Sequence, residues 1–277
     1  MISFAPIPTA TTPTAPAGAG SVLAAANTTA AVATTMAVIL PVYKAAHEID
    51  DIVARLVAFA ATVPHFTFLL VNDGSPDDTG ARLLAAVARA NHPRVQSTGY
   101  AVNRGKGAAI AHGFVHAAQQ SGYLTFLDGD LPYALDDLHT IYNALATADV
   151  AIGCRRHENQ IHGAPRRRHL IGRCFNIGVR LGFGFSHQDT QAGLKGFRRE
   201  AAARIFGAMT TAGFSFDVEA LFLAHRQSWR IVEVPVHLQP SHSFETRPAR
   251  LAKIAVRMAW DVIRIRSNAL RGRYERR

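Results

Sequence analysis

Two carboxylates one residue apart, Asp128 and Asp130, close the apolar run Tyr123-Leu124-Thr125-Phe126-Leu127. In a parallel α/β sheet, ligands bind outside the carboxyl ends of the strands. An Asp-x-Asp delivered there offers hard oxygen donors to a divalent cation, which can in turn hold a diphosphate. The competing reading is a short acidic loop that only caps the next helix. Three further polar loops follow apolar runs: Tyr43 to Glu48, Asn72 to Asp78, and Asn103 to Lys106. The glycines of Asn103-Arg104-Gly105-Lys106-Gly107 permit close backbone approach, and a helix starting there presents free N–H groups to an anion. The pattern is neither a P-loop nor Gly-x-Gly-x-x-Gly.

These loops need strands to hold them. Met36 to Tyr43, Phe66 to Val71, Pro93 to Gly99, Tyr123 to Leu127 and Val150 to Gly153 read as short buried strands. Helical periodicity lies between them: Ile49, Ile52, Val53, Leu56 and Val57; then Thr79 to Ala90, Gly105 to Gln120, and Leu135 to Ala146. Strands alternating with helices predict a Rossmann-like αβα sandwich with right-handed crossovers and a mostly parallel sheet. The second half is less regular. It has a basic loop at 155–168, a helix near 170–182, and a strand at Gly193 to Phe197. Helices near 200–208 and 217–227 precede a last strand from Arg230 to Val236.

At 277 residues, with 48% hydrophobic and 18% charged residues, the chain can bury a full core. Cys154 and Cys174 supply neither a disulfide framework nor metal-ligand spacing, which fits reduced thiols in a cytosolic protein. The formal charge of +10 is uneven. From Arg247 to Arg277 there are ten Arg or Lys against only Asp261 and Glu275. An anionic partner is expected: phosphates, a membrane surface or nucleic acid. No recognised nucleic-acid motif accompanies the charge, and acid-lined strand ends disfavour a phosphate backbone, so nucleic acid is set aside. No run is long and apolar enough for a transmembrane helix. Residues 1–35 are uncharged and Ala/Thr/Pro-rich, and read as a disordered leader. Residues 247–277 read as a basic amphipathic helix and tail. Leu251, Ile254, Ala255, Met258, Val262, Ile265 and Ala269 fall on one arc, with Arg250, Lys253, Arg257, Arg264 and Arg271 opposite. Such a helix either lies on a membrane surface or docks on its own core.

The order of motifs resembles family-two glycosyltransferases with the GT-A fold. The resemblance is carried by Val38-Ile39-Leu40-Pro41-Val42-Tyr43, Val71-Asn72-Asp73-Gly74-Ser75, Asn103-Arg104-Gly105-Lys106-Gly107 and Asp128-Gly129-Asp130. It continues through Gly153-Cys154-Arg155, Asp189-Thr190-Gln191-Ala192-Gly193-Leu194-Lys195, Phe216-Asp217-Val218-Glu219 and Glu233-Val234-Pro235-Val236. Asp-Thr-Gln-x-Gly-x-Lys with a later Phe-Asp-x-Glu is similar to the branch that glycosylates polyprenyl or dolichyl phosphate, including dolichyl-phosphate glucosyl- and mannosyltransferases. The resemblance implies a GT-A catalytic domain over 36–240 and an inverting hexosyl transfer from a nucleotide-diphosphate sugar to a polyprenyl phosphate.

It also implies roles. Asp73 would accept a hydrogen bond from the nucleotide base, with Pro41, Tyr43 and Glu48 framing the pocket and Lys106 on the donor side. Asp130 would bind Mg²⁺ or Mn²⁺ on the donor diphosphate, helped by Asp128 through the metal or the ribose. Asp189 and Gln191 would line the sugar and acceptor pocket, and Arg155 and Arg168 would clamp the acceptor phosphate. Asp130, Asp189, Gln191 and Arg155 form the implied catalytic set. The enzyme would sit in the cytoplasm, peripheral at the inner face of the cytoplasmic membrane, its basic helix against anionic lipid.

Three positions depart from the pattern: Asn72 replaces a common Asp, Pro132 stands where mannosyltransferase relatives often place Gln, and Gly172 replaces a phosphate-contacting Ser. They leave the sugar open. Two alternatives remain: a soluble glycosyltransferase acting on a hydroxyl acceptor in cell-envelope polysaccharide synthesis, with Asp217 or Asp189 as base, and a nucleotidyltransferase.

Overall fold

A computed structural model describes residues 34–117, 119–155, 183–213, 215–239 and 260–275. The expected leader up to residue 33, the helix near 170–182, Arg168 and most of the basic loop, and residues 247–259 lie outside the described residues.

Seven strands form one sheet: β1 (Met36–Val42), β2 (Phe66–Asp73), β3 (Val95–Tyr100), β4 (Tyr123–Leu127), β5 (Val150–Cys154), β6 (Leu194–Arg198) and β7 (Ile231–Pro235). Their order is β3-β2-β1-β4-β6-β5-β7. Every pairing is parallel except those of β6, which runs antiparallel to both β4 and β5. The expected mostly parallel sheet is present. What the sequence did not reveal is the direction of β6. A reversed strand places its amino end, beginning at Leu194 opposite Leu127, at the carboxyl edge of its neighbours. That reversal brings the loop before β6 into the site.

The first helices are α1 (Ile49–Thr62), α2 (Thr79–Ala90), α3 (Lys106–Ala117) and α4 (Asp137–Leu145). Each buries one stripe. In α1 it is Ile49, Ile52, Val53, Leu56 and Ala60, with Asp50 and Asp51 in the first turn where the helix dipole favours negative charge. Val63, extended before Pro64, ends it. Helix α2 closes on Asn91 in the left-handed conformation. The later helices are α5 (Arg199–Ala208) and α6 (Phe216–Arg226). Central strands are buried on both faces, so they read as continuous apolar runs. Alternate side chains feed two cores. Ile39, Phe114, Phe126, Phe197, Ile205 and Phe216 lie in one. Val38, Leu40, Ile52, Leu56, Phe68 and Leu138 lie in the other. Cys154 is buried.

Thr35, within the expected leader, donates to Gln120 O at 2.7 Å and accepts from Gly122 N at 3.0 Å.

Residues 260–270 are helical and are named α7 here. Ile265 is fully buried, and Val262 and Ala269 pack against the same core. Three side-chain bonds pin the helix: Ser215 Oγ to Asp261 at 2.7 Å, Arg264 Nη2 to Thr211 Oγ1 at 3.0 Å, and Asn268 Nδ2 to Thr210 Oγ1 at 3.0 Å. The described part of the apolar arc therefore docks on the protein itself. Its expected membrane-facing role is corrected: these positions are occupied by core packing.

Candidate active site

The loops after β1, β2 and β4 meet at one edge of the sheet. Val42 is in register with Asn72, and Asp73 with Tyr100. Lys44 N donates to Ser75 Oγ at 3.1 Å and Ala45 N to Thr79 Oγ1 at 2.9 Å, so the first two loops are stitched together. Lys44 and Leu131, the second residue after β1 and the fourth after β4, both hold positive φ, of 54° and 49°. Non-glycine residues rarely adopt this conformation, and such positions concentrate at functional sites.

Asp73, 3% exposed, works inward. Its carboxylate accepts from Tyr100 Oη at 2.6 Å, Asn103 Nδ2 at 2.9 Å, Arg104 N at 3.0 Å and Gly105 N at 3.0 Å. The Tyr100 hydroxyl, half-buried against this carboxylate, is held protonated well above its ordinary range by burial and by Asp73. Asp73 thus shapes the Asn103–Gly105 turn, with Gly105 at φ 99°. A nucleotide base would have to share an oxygen already committed to internal donors. Pro41 lies near the carboxyl end of β1, Tyr43 directly follows the strand and is 45% exposed, and Glu48 is exposed at the start of α1.

The turn leads directly into α3, whose first residue is Lys106. The Lys106 ammonium pairs with Asp128 Oδ1. Burial works against its charge, but Asp128, Asp217 and Asp130 outweigh that and raise its affinity for the proton. Asp130, two residues on, is exposed.

Asp128 is fixed from the other side by the reversed strand. Its N–H donates to Gly193 O at 3.0 Å, while Gly193 N donates to Tyr133 Oη at 2.9 Å. A Cβ on Gly193 would lie 2.0 Å from Asp128 Oδ2. Only glycine allows this approach. Gly129 packs in the same way under Pro41, where a Cβ would meet the Pro41 carbonyl at 2.3 Å.

Arg155 follows β5 and Asp189 precedes β6, so they face one another. Arg155 Nε meets Asp189 Oδ2 at 2.7 Å and Nη2 meets Oδ1 at 2.9 Å, a bidentate pair. Burial pushes Asp189 up, but the Arg155 charge and its hydrogen bonds prevail and hold it below the usual carboxylate range. Asp189 N and Gln188 N in turn donate to Glu233 Oε1 at 3.0 and 2.7 Å. The two residues expected in separate roles are thus one unit. The side-chain amide nitrogen of Gln191, in the same loop, is buried without a hydrogen-bond partner.

Beneath these residues lie Lys195 and Glu219, to which sequence reasoning gave no role, and Asp217, which it named only as an alternative base. Lys195, fully buried, donates to Ala192 O at 2.6 Å and faces Asp217 Oδ2 at 3.6 Å. Burial lowers Lys195 and raises Asp217, each toward its neutral form. Asp217 also interacts with Lys106 and Asp128, which joins the two halves of the site. Glu219, also fully buried, accepts from Thr210 N at 3.0 Å, Thr211 N at 2.6 Å and Tyr274 Oη at 2.6 Å. It holds the 210–213 loop, whose Ala212 carbonyl lies against Gly105 and Gly107. The signals were present: a lysine inside the strand Leu194-Lys195-Gly196-Phe197 requires a buried partner, and a glycine just before a strand marks a close approach.

A family model described as glycosyl transferase family 2 matches residues 37–206. The chain belongs to glycosyl transferase family 2. Among its relatives, dolichyl-phosphate beta-glucosyltransferase of Saccharomyces cerevisiae is 32% identical over 225 residues, 74% of this chain and 66% of the relative. Polyprenol monophosphomannose synthase of Mycolicibacterium smegmatis is 32% identical over 204 residues, 72% of this chain and 75% of the relative. Undecaprenyl-phosphate mannosyltransferase of Micrococcus luteus is 30% identical over 202 residues, 72% and 81% of the two chains. Glucosyl-3-phosphoglycerate synthase of Mycobacterium tuberculosis in complex with UDP shares the fold, with a TM-score of 0.60 at 16% identity, covering 84% of this chain and 80% of that one. The same enzyme with Mn²⁺, UDP and glucosyl-3-phosphoglycerate gives a TM-score of 0.59 at 16% identity over 83% of this chain and 78% of that one. As a family 2 glycosyltransferase the chain is an enzyme with a GT-A-like mixed α/β sheet. The family assignment sets aside the nucleotidyltransferase reading.

Proposed function

We propose that this glycosyltransferase moves a hexose from a nucleoside-diphosphate sugar to a polyprenyl phosphate, with inversion. The observation that carries the acceptor class is the commitment of the site's carboxylates. Asp128 pairs with Lys106 and Asp189 with Arg155. A hydroxyl acceptor must surrender a proton to a positioned base, and a carboxylate locked to a cation is a weak one. A phosphate acceptor is already an anion and needs only orientation and charge screening. The relatives named for dolichyl, polyprenol and undecaprenyl phosphate support the same choice.

In the reaction, a phosphate oxygen of the acceptor attacks the anomeric carbon. The bond from that carbon to the diphosphate breaks, its electron pair leaves with the nucleoside diphosphate, and an α-linked donor gives a β-linked product. Lys106 holds positive charge beside the leaving diphosphate. Arg155, oriented by Asp189, presents its remaining N–H groups to the acceptor phosphate, with Arg168 assigned alongside. Gln191 offers an unpaired amide N–H to the sugar, and Tyr43 a ring face to the base. Asp130 with Asp128 fits a hard divalent cation: Mg²⁺ is commonly held by one or two carboxylates plus substrate phosphates, so no larger cage is required. Among the described residues no group of three such ligands occurs. Mg²⁺ or Mn²⁺ bound there would neutralise charge on the diphosphate, and the fold neighbours crystallised with Mn²⁺ or Mg²⁺ and UDP support it.

A lipid-phosphate acceptor supports a location at the inner face of the cytoplasmic membrane as part of this reading. Among the described residues no helix is long and apolar enough to cross a membrane. A second reading, transfer to a hydroxyl, is favoured by the raised proton affinity of Asp217. The Asp217→Asn variant separates them: as a base it would be indispensable, whereas under lipid-phosphate transfer most activity persists in protein that remains folded. Release of UDP or GDP across a donor screen identifies the nucleotide.

A further inference from the structure

Docking of α7 on the core leaves a second face of that helix outward, and it is not polar. Trp260 is 67% exposed, Ile263 59% and Leu270 88%. At about 100° per residue these three fall within an arc of about 80°. Arg266 lies on one border of the stripe and Arg264 and Arg271 on the other, all exposed. The arginines are not loose counter-ions for the core. Arg264 is bonded to Thr211, and Arg266 stacks over the Phe183 ring at 5.8 Å. Arg266 therefore presents charge from a fixed position beside the apolar stripe, while Arg264 is also paired with Asp261 at 3.4 Å.

From this arrangement we propose that the outward face of α7, Trp260, Ile263 and Leu270 bordered by Arg264, Arg266 and Arg271, is the surface by which the protein docks on an anionic lipid bilayer. The inference rests on the reading that the acceptor is a membrane lipid, and it replaces the face that periodicity had suggested. An apolar stripe carrying Trp, flanked by arginine, matches the headgroup boundary: the rings and aliphatic chains enter it while guanidinium groups meet lipid phosphates. Anionic lipid is the committed occupant because the flanking charge is of one sign, which a second copy of the same face would repel. The bonds to Thr210, Thr211 and Ser215 fix the helix's rotation. Docking would thus orient the 210–213 loop, and with it Gly105, Lys106 and the site, relative to the membrane.

The test uses the full chain and vesicles of phosphatidylcholine with or without phosphatidylglycerol, free of polyprenyl phosphate and donor. Failure here therefore leaves the transfer reaction itself unjudged. In a Trp229→Phe background, Trp260 emission should shift to the blue on anionic vesicles only. The triple variant W260S/I263S/L270S should partition about tenfold or more weakly. The Arg271→Glu variant should lose about fivefold or more on anionic vesicles and little on neutral ones. Unchanged partition of the triple variant would overturn the proposal. So would a wild-type protein that ignores vesicles but forms a dimer which the triple variant dissolves, since that would make the face a contact between copies.

Discussion

Arg155 and Asp189, 34 positions apart, are joined by two side-chain bonds of 2.7 and 2.9 Å and by a third from the Arg155 backbone at 3.2 Å. The pairing exists because β6 runs against its neighbours, which puts the loop before it beside the end of β5. Asp189 is nearly buried while Arg155 is one-third exposed. Removing the carboxylate strands the guanidinium and should cost about 3 kcal/mol at neutral pH. Because the folded pKa of Asp189 is lowered, its contribution is complete above the unfolded value and is lost as pH falls through the folded one. The melting-temperature gap between wild type and Asp189→Asn should therefore be widest near pH 7 and close in acid below the usual carboxylate range.

Gly193→Ala tests the close approach that fixes Asp128. The new methyl would sit 2.0 Å from Asp128 Oδ2, and the Gly193 backbone cannot retreat, since it is bonded to both Tyr133 and Asp128. Asp128 must rotate and its pair with Lys106 must open. Transfer should fall about 100-fold or more, while thermal unfolding remains cooperative at a modestly lower temperature. Steady-state rates beside a melting curve check this.

The pair Lys195 and Asp217 predicts strong non-additivity. Lys195→Met alone leaves Asp217 buried without its cation and should cost about 3–5 kcal/mol. Adding Asp217→Asn removes the stranded charge and should restore much of that loss. Chemical denaturation of the two single variants and the double variant measures the coupling. Equal, additive losses would mean that the two side chains do not sense one another.

These predictions turn on residues of unequal legibility. The apolar runs of β1, β2, β4 and β5 and the stripes of α1 and α2 were readable, because burial on a regular element leaves a period. So was the placement of Asp128 and Asp130 at a strand end. The partners were not readable. Asp73 is satisfied by residues about 30 positions away, and Asp189 and Asp217 meet their cations only after the chain has crossed the sheet. Such contacts leave no local period. Helix α7 shows the limit most plainly: amphipathic spacing located an apolar face at Val262, Ile265 and Ala269, but could not say that the face was already taken by the protein's own core.

The central claim, that the sugar held beside Lys106 and Asp128 goes to a lipid phosphate, is tested most directly by one assay. The purified chain, with Mg²⁺ or Mn²⁺, is given radiolabelled UDP-glucose or GDP-mannose and undecaprenyl phosphate, and the organic phase is counted. We predict label in that phase with one of these donors, one nucleoside diphosphate released per sugar, and loss of both in Asp130→Ala. No lipid-phase label with any donor, together with label on a soluble hydroxyl acceptor, would contradict the account.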